Sequence, residues 1–272
     1  YDQNMHLASM RTRELEERFE SALEHGEFCI HLQPVFNVVD QDIAGAEVLV
    51  RWNHPIRGMV SPGEFIPLLE GNGMLDRLDT WVFKEACRVQ KSWMAQGRQG
   101  LYLSVNVSRG HLLSAGFVES YVDSVHELGL ECRMFNLEIT ETAFIDAPAR
   151  IEDVLTKLHS FGFMVSIDDF GTGYSSLNLL YNLTIDLVKI DRQLLLNLKK
   201  SGKAQTVLSS MLHMIKKIDM GAVAEGVETT EQLEFLKSVG CPMAQGYLYA
   251  KPMPVDQFER FWDQKIQFAK PH

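Results

Sequence analysis

The sequence predicts an α/β fold: a modified (β/α)8, TIM-like barrel whose first strand is antiparallel because an N-terminal hairpin introduces it. Apolar, β-branched runs alternate with amphipathic helical stretches, which indicates parallel strands joined by helical crossovers. Counting both strands of the hairpin gives eight strands, and 272 residues suffice for a barrel of that size. A doubly wound open sheet is the alternative, but no Gly-x-Gly-x-x-Gly motif follows any predicted strand.

A charged helix over residues 5–25 precedes the barrel. Two pairs of opposite charge, Arg13/Glu17 and Glu14/Arg18, lie four positions apart in it, and such pairs stabilise an exposed helix. We expect residues 1–25 to be a connector helix from an upstream regulatory module and residues 26–268 to form the barrel. An ordinary first helix of the domain is the alternative. Because the chain starts at Tyr1 rather than Met, we expect it to be part of a longer protein.

The hairpin is predicted from two β-rich runs, Phe28–Val38 and Ile43–Val50, which a polar turn joins. A loop rich in Pro and Gly then leads into a long helix with one apolar face. After it, each strand is a short apolar run and each helix repeats apolar residues at three and four positions. The predicted later strands are 101–107, 135–139, 163–167, 187–190, 222–224 and 243–248. The predicted helices are 76–96, 117–128, 149–161, 203–218, 230–238 and 255–267, with a short helix at 177–181.

Composition excludes several classes of protein. The net charge of −10 and the pI near 5.4 argue against binding to a nucleic-acid polymer or an anionic membrane, but not against a nucleotide held through metal ions. The absence of a transmembrane-length apolar run and of a signal peptide predicts a cytoplasmic location, which is compatible with a membrane anchor elsewhere in a full-length protein. Isolated cysteines fit free thiols in a reducing compartment; they are Cys29, Cys87, Cys132 and Cys241.

Two adjacent carboxylates, Asp168 and Asp169, follow a short apolar, β-branched run predicted as a buried strand and precede a Gly-punctuated turn. Neighbouring strand residues point to opposite faces, so the two can aim together only where the backbone swings out of the strand. Two adjacent anions repel each other, and a divalent cation between them would keep both ionised. A solvated surface turn is the alternative.

Polar residues occur at or near the ends of seven predicted strands. Because the carboxyl ends of barrel strands converge on one mouth, we expect these side chains to meet there. Any one of them alone would be read as a solvated strand end, but seven in register favour a site. They are Glu47, Asn106, Glu138, Asp168 with Asp169, Lys189, Glu225 and Gln245.

This set of oxygen ligands suits Mg²⁺ or Mn²⁺, and no Cys or His cluster favours zinc. It predicts phosphodiester hydrolysis by two metal ions about 3.5–4 Å apart, with Asp168 as the bridging ligand. Lys189 could hold the attacking water or share its proton. Arg51 offers a planar fork for a phosphate, and a surface salt bridge is its alternative role.

Eight short stretches of the sequence form a set of motifs. They are Gln33-Pro34, Glu47-Val48-Leu49-Val50-Arg51-Trp52, Asn106-Val-Ser108, Glu138-Ile-Thr-Glu141, Asp168-Asp-Phe-Gly-Thr-Gly-Tyr-Ser-Ser176, Val188-Lys189-Ile-Asp191, Ala224-Glu225-Gly-Val-Glu228-Thr229 and Gln245-Gly-Tyr247. Together they resemble the EAL-domain cyclic di-GMP phosphodiesterases, from about Glu27 to Phe261. The signature triplet Glu-Ala-Leu of that family is Glu-Val-Leu here, and it is informative only together with the other stretches.

The resemblance implies a barrel that cuts cyclic di-GMP to linear pGpG with two Mg²⁺ or Mn²⁺ ions. The implied ligands of one ion are Glu47, Asn106, Glu138 and Asp168, and those of the other are Asp168, Asp169 and Glu225.

The resemblance also implies roles for residues that hold no metal. Lys189 would position the attacking water, and Gln245 and Glu228 would order the site around it. The residues implied to touch the substrate are Gln33, Leu49, Arg51 and Gln245.

Glu141 is implied to anchor the loop 170–176, which the family uses to couple dimer contacts to metal binding. An acid placed at a helix start is the alternative reading of Glu141. The helix after the Gly171–Ser176 loop carries Leu179, Leu180 and Tyr181, which we expect to be exposed and to form a homodimer contact.

Three departures from the family pattern remove no implied ligand. Val48 replaces Ala in the triplet and should face the core, since its neighbour Glu47 faces the metals. Thr184 and Pro242 replace a Pro and an Asp of many relatives. The complete ligand set favours an enzyme over a catalytically silent receptor that reports cyclic di-GMP to an attached domain. A barrel enzyme acting on another phosphodiester is a third possibility.

Overall fold

In the computed structural model, the described residues are 2–144, 148–171, 180–181, 183–196, 198 and 202–269, with side chains described between 13 and 265. Their sheet has ten strands and closes through the pairing of its first two strands. The strands are β1 Phe28–Asn37, β2 Ile43–His54, β3 Gly58–Val60, β4 Tyr102–Asn106, β5 Phe135–Thr140, β6 Met164–Phe170, β7 Leu187–Ile190, β8 Gly221–Ala224, β9 Met243–Ala244 and β10 Met253–Pro254.

Eight of these strands form the barrel, and the predicted fold class is confirmed. Going round it, the order is β1, β9, β8, β7, β6, β5, β4 and β2, and β2 pairs again with β1. Strand β1 is antiparallel to both of its barrel neighbours, and the other neighbouring barrel strands are parallel. Strands β3 and β10 pair with the outer parts of β2 and β1.

Helices surround the barrel as crossovers between the parallel strands. Those of the described residues are α1 Asp2–Glu24, α2 Pro62–Gly71, α3 Leu75–Ala95, α4 Arg109–Leu112, α5 Phe117–His126, α6 Pro148–Phe161, α7 Arg192–Leu196, α8 Gly202–Lys217, α9 Thr230–Ser238 and α10 Val255–Ala269. None of the helices in the described ranges combines the length and apolarity needed to cross a bilayer.

Besides the longer β6, which is described with the site, three differences from the predicted elements affect the site. Strand β2 runs to His54 instead of Val50, because β1 and β3 pair with its outer part. The stretch predicted as a loop contains β3 and α2; Pro is tolerated in the first turn of α2, and Phe65 and Leu69 bury its inner face. Strand β9 ends at Ala244 instead of Leu248.

Helix α1 packs directly on the barrel. Leu15, Phe19 and Ala22 are buried within the main hydrophobic core, and the Phe19 ring lies 5.9 Å from that of Phe28 at the start of β1. The helix is therefore attached to the outer end of the hairpin, whatever precedes it in a longer chain.

A His–Asp pair ties α6 to the strands that begin at the bottom of the barrel. Asp186 Oδ2 lies 2.9 Å from His159 Nε2 and accepts a 2.7 Å hydrogen bond from the Val165 amide. The hydrogen bond to Asp186 raises the pKa of His159 above that of an ordinary imidazole.

We predict that His159→Gln lowers stability mainly at acidic pH. A raised histidine pKa gives stability that is complete below the unfolded value near 6.5 and is lost as pH rises through the folded value. The loss in the variant should be about 0.5–1 kcal/mol at pH 5.5, as for a partly exposed ion pair, and near zero at pH 9. Urea unfolding of both proteins at the two pH values measures it; an equal loss at both would contradict a charged pair.

Candidate active site

The wall of the barrel mouth is built from the β1–β2 hairpin. Gln33 lies opposite Glu47 in the register of the two strands, and both side chains are buried. Glu47 is not at the end of β2, as predicted, but at its middle, where the barrel-forming part next to β4 gives way to the outer part of the hairpin. Leu49 and Arg51 follow at alternate positions on the same face, because side chains in a strand alternate.

A polar column runs up the barrel interior on the parallel strands β4, β5 and β6. Asn136 in the lower layer donates hydrogen bonds to the Ser104 hydroxyl at 2.8 Å and the Ser166 hydroxyl at 2.9 Å. Two residues further along the same strands lie Asn106, Glu138 and Asp168. The serine or asparagine two residues before each of these three predicted ligands was a signal in the sequence that we did not use.

The adjacent carboxylates Asp168 and Asp169 lie within β6, not after it. The register with β7 shifts between Ile167 and Phe170, and Asp169 has a φ of 55°. This irregularity turns both carboxylates toward Glu225 at the end of β8, so that one oxygen of each residue lies within 4.8 Å of the others. The structure thus brings together the second predicted set of metal ligands.

Lys189 on β7 lies at the centre of the carboxylates of the barrel mouth and is buried, with an exposed fraction of 3%. Its Nζ lies 2.6 Å from Glu138, 2.8 Å from Glu225, 3.2 Å from Asp168 and 3.6 Å from Glu47. Asn106 completes this set, because its Nδ2 donates a 3.2 Å hydrogen bond to Glu47.

Charges in this cluster perturb one another. Burial lowers the pKa of Lys189, but the surrounding carboxylates outweigh it and raise the pKa well above its usual value, so the ammonium stays charged. Burial, with the neighbouring carboxylates Asp168 and Glu47, raises the pKa of Glu225 to about 8 despite the nearby ammonium. Burial and Asp168 also raise the pKa of Asp169.

The donor set fits divalent cations. Its atoms are hard oxygens of carboxylates and amides, which Mg²⁺ and Mn²⁺ prefer, and the Lys189 ammonium faces four carboxylates, so negative charge is in excess among these groups. Gln245 Oε1 is in addition a buried acceptor with no hydrogen-bond partner among the described residues.

Gln245 connects the site to the hairpin. Its Nε2 donates to Glu47 at 2.7 Å and to Gln33 at 3.1 Å, while Gln33 donates to the Ala250 carbonyl. Glu228 lines the cleft that also contains Gln245 and Glu47. Its side chain is exposed and makes no hydrogen bond to Gln245 within the described ranges. The implied joint role of the two residues therefore stays a prediction.

Two clefts flank the carboxylates. One, of about 610 Å³, extends from Leu49, Arg51 and Asn106 toward α2 and α3. The other, of about 270 Å³, includes Gln33, Glu47, Asp168, Asp169, Lys189, Glu225, Glu228 and Gln245. Sequence reasoning assigned no role to three more residues of the second cleft, namely Asp191, Arg192 and Tyr247, although the stretches that contain Asp191 and Tyr247 matched the family.

Glu141 is buried and faces the loop that follows β6. Its Oε2 accepts a 3.4 Å hydrogen bond from the Gly171 amide. Glu141 also begins a short 3-10 helix, so both readings of this residue agree with its position. Residues 172–176, which carry the hydroxyl groups expected to bind it, lie outside the described residues.

We predict that Glu141→Ala weakens metal binding and turnover together, by about ten-fold or more, because it releases the backbone next to Asp168 and Asp169. Turnover measured against Mn²⁺ concentration tests this. Glu131→Ala, which removes an exposed carboxylate paired with Arg133 far from the mouth, is the control. If the dependence of turnover on Mn²⁺ were unchanged in Glu141→Ala, Glu141 would only begin the 3-10 helix and would have no role in metal binding.

The expected dimer contact is only partly visible. Tyr181 is 89% exposed, as predicted, but Leu180 is buried and was wrongly expected to be exposed. Its apolar side chain belongs to the core, so it is not free for a second copy of the chain. Leu179 lies outside the described residues.

The departures in the motifs leave the ligands in place. Val48 is buried in the core with an exposed fraction of 2%, as the strand alternation predicted. The Pro242 carbonyl accepts a 2.9 Å hydrogen bond from the Val38 amide, which joins the loop before β9 to the end of β1.

Comparison with known proteins supports the resemblance seen in the motifs. A sequence model described as the EAL domain matches residues 16–252. Cyclic di-GMP phosphodiesterase NbdA of Pseudomonas aeruginosa is 37% identical over 248 residues, which are 91% of this chain and 32% of NbdA. The bifunctional diguanylate cyclase/cyclic di-GMP phosphodiesterase MucR of the same organism is 36% identical over 258 residues, which are 94% of this chain and 38% of MucR. The chain thus spans about a third of the length of these relatives.

Solved structures show the same fold. The structure of the PaMucR phosphodiesterase in a c-di-GMP complex superimposes with a TM-score of 0.86 at 35% identity and covers 90% of this chain and 99% of that chain. The EAL enzyme Bd1971, in its cAMP- and cyclic-di-GMP-bound form, gives a TM-score of 0.87 at 30% identity over 93% of this chain and 69% of its own. With its barrel, its cluster of carboxylates and a family match over most of its length, this chain belongs to the EAL domain family.

Proposed function

We propose that this domain hydrolyses cyclic di-GMP to linear pGpG with two bound divalent cations, Mg²⁺ or Mn²⁺. The observation that carries the proposal is the cluster around Lys189, where carboxylates from four strands, β2, β5, β6 and β8, meet between two clefts. The names of the relatives NbdA and MucR support the substrate.

The metal ions would be held by the two sets that share Asp168. One comprises Glu47, Asn106, Glu138 and Asp168; the other comprises Asp168, Asp169 and Glu225. When bound, such ions activate water and stabilise the leaving oxygen of a phosphodiester. Glu225, whose pKa is raised to about 8, would have to release its proton to hold a cation, so the affinity for the cation should rise with pH up to about that value.

The chain's own groups bind the substrate and handle its protons. Arg51 offers its guanidinium to a phosphate, and Leu49 and Gln33 line the wall beside it. Lys189 holds a positive charge within hydrogen-bond reach of the ligands and can orient the attacking water through Nζ. Gln245 fixes Glu47 through its 2.7 Å hydrogen bond and presents Oε1 to the same space. The two clefts suit an extended dinucleotide with a base in each.

Regulation and assembly are proposed on the same basis. The chain spans about a third of NbdA and MucR, so an upstream regulatory module attached to α1 is consistent with its relatives. A homodimer would form through the surface near Tyr181, which lies beyond the Gly171–Ser176 loop.

Incubation of the purified protein with cyclic di-GMP and Mg²⁺ or Mn²⁺, with products separated by chromatography, tests the proposal. We expect pGpG to appear at neutral to alkaline pH and to disappear after exhaustive chelation, because the ligand oxygens alone activate no water. Turnover of other cyclic dinucleotides at the same rate would overturn the substrate assignment. Tight binding of cyclic di-GMP without cleavage would support the receptor function instead.

A further inference from the structure

The outer part of β2, which carries Leu49 and Arg51, stands beyond the parallel barrel. Strand β4 pairs with β2 only from Gly45 to Val48. Above this point β2 pairs with the antiparallel β1 and with the short β3. We call this outer part of β2, residues 49–54, the arm. The position of Arg51 thus depends on the contacts that fix the opposite face of the arm.

Trp52 is the residue that holds the back of the arm. It follows Arg51 and so points to the opposite face, where it is fully buried. Its ring lies 4.8 Å from that of Phe28 and 5.6 Å from that of Phe65 on α2. Apolar packing of this kind stabilises the ring but does not fix its position along the cluster.

Hydrogen bonds to Glu27 fix the position of Trp52 along this cluster. Trp52 Nε1 donates a 3.0 Å hydrogen bond to Glu27 Oε2, and the Asn53 amide donates to the Glu27 carbonyl at 2.7 Å. Two consecutive residues of the arm are therefore hydrogen-bonded to one residue that precedes β1.

Glu27 is in turn held by helix α1. Arg18 Nε lies 3.0 Å from each carboxylate oxygen of Glu27, and Arg18 Nη2 contacts Oε1 as well. The Glu27 side chain is only 10% exposed. A paired, partly buried carboxylate with this many donors is much better fixed than an exposed one.

We propose that Glu27 is a positioning residue for substrate binding. Through its hydrogen bond to Trp52 it fixes the position of Arg51, and Arg18 of α1 fixes the orientation of the Glu27 carboxylate. The substrate part of this inference rests on the proposed function. It makes α1 part of the binding apparatus, although α1 touches neither cleft beside the carboxylates within the described residues.

Trp52→Phe and Glu27→Ala test the inference, since the first removes mainly the Nε1 donor and the second removes the acceptor. We expect KM for cyclic di-GMP to rise about ten-fold, as for a small displacement of a binding group, with kcat within two-fold of wild type. The matched control is Trp93→Phe, which removes a similar buried bond, from Trp93 Nε1 to Glu259 at 2.9 Å, at a place remote from the mouth. Arg13→Ala, which breaks an exposed ion pair on α1, is the second control.

Hydrogen exchange of the amides in residues 49–54 gives a readout that needs no substrate. In Glu27→Ala and Trp52→Phe it should become faster, while β4 and β5 exchange as in wild type. Should Trp52→Phe fail to fold, Arg18→Met, at a residue with a one-third exposed side chain, makes the same test. Unchanged KM and unchanged exchange in the folded variants, or the same rise in KM in Trp93→Phe, would overturn the inference. A wild type that neither binds nor cleaves cyclic di-GMP would instead overturn the proposed function, and exchange alone would then decide whether Glu27 positions the arm.

Discussion

Asp168→Asn should lower the rate of cyclic di-GMP hydrolysis by about 10³-fold, the size of effect expected when a group that stabilises transition-state charge is lost. Asp168 is the only residue shared by the two proposed ligand sets. Its Oδ1 lies 3.2 Å from Lys189 Nζ, and it belongs with Asp169 and Glu225 to the group that could hold a cation. The amide keeps the shape of the side chain but removes its charge, so the fold and the two clefts should persist.

Rates under saturating Mn²⁺ and calorimetric binding of cyclic di-GMP measure this effect separately. We expect binding to remain detectable, because Leu49 and Arg51 are unchanged. Asp123→Asn, at an exposed position on α5, is the matched control and should behave like wild type. Turnover of Asp168→Asn near the wild-type rate would refute the two-metal assignment.

The arrangement of the mouth could be predicted because two regularities determine it. Parallel strands bring their carboxyl ends together, and Asn106, Glu138 and Lys189 each come near the end of such a strand. The family motifs then distinguished the proposed metal ligands from neighbours of the same type, which spacing alone could not do.

The local backbone of the site could not be predicted. We expected β6 to end before Asp168, but the strand continues and the residue at the irregularity, Asp169, adopts a positive φ. Single non-glycine residues take that conformation only when their surroundings hold them there, so the pattern of residues does not reveal it.

Helix α2 and the end of β9 were missed for different reasons. The Pro and Gly residues near Pro62 are typical of loops, yet a Pro at the first helical position lacks only an amide that has no helical partner. Just after β9, Gly246 lies so close to the Val227 backbone that a Cβ there would be 2.2 Å from the Val227 carbonyl oxygen. That contact joins distant parts of the chain and leaves no periodic signal.

Lys189→Met should have the second large effect, on stability as well as on activity. The variant removes an ammonium that lies within 3.6 Å of Glu138, Glu225, Asp168 and Glu47. Carboxylates left without their partner in a buried cluster destabilise a fold by about 3–5 kcal/mol. Hydrolysis should fall by about 10²–10⁴-fold, as for the loss of a group that orients or protonates the reacting water.

Proton uptake makes this loss of stability depend on pH. Lys189 lowers the pKa of Glu225, so its removal should raise that pKa above the present value of about 8. A carboxyl whose folded pKa is raised contributes stability that is lost as pH rises through that value. The difference in unfolding free energy between wild type and Lys189→Met should therefore be larger at pH 9 than at pH 6 when a chelator is present.

Urea unfolding with chelator and with Mn²⁺ at both pH values tests this. Mn²⁺ should restore much of the stability of Lys189→Met, because a cation bound by the carboxylates replaces the lost charge and stabilises only the folded state. Lys157→Met, which breaks an exposed pair with Glu119 whose charged atoms are 3.7 Å apart, should change stability by less than about 1 kcal/mol and should respond to Mn²⁺ as wild type does. If Lys189→Met with chelator were as stable as wild type at pH 9, the carboxylates would not depend on this ammonium, and its place at the centre of the site would have another cause.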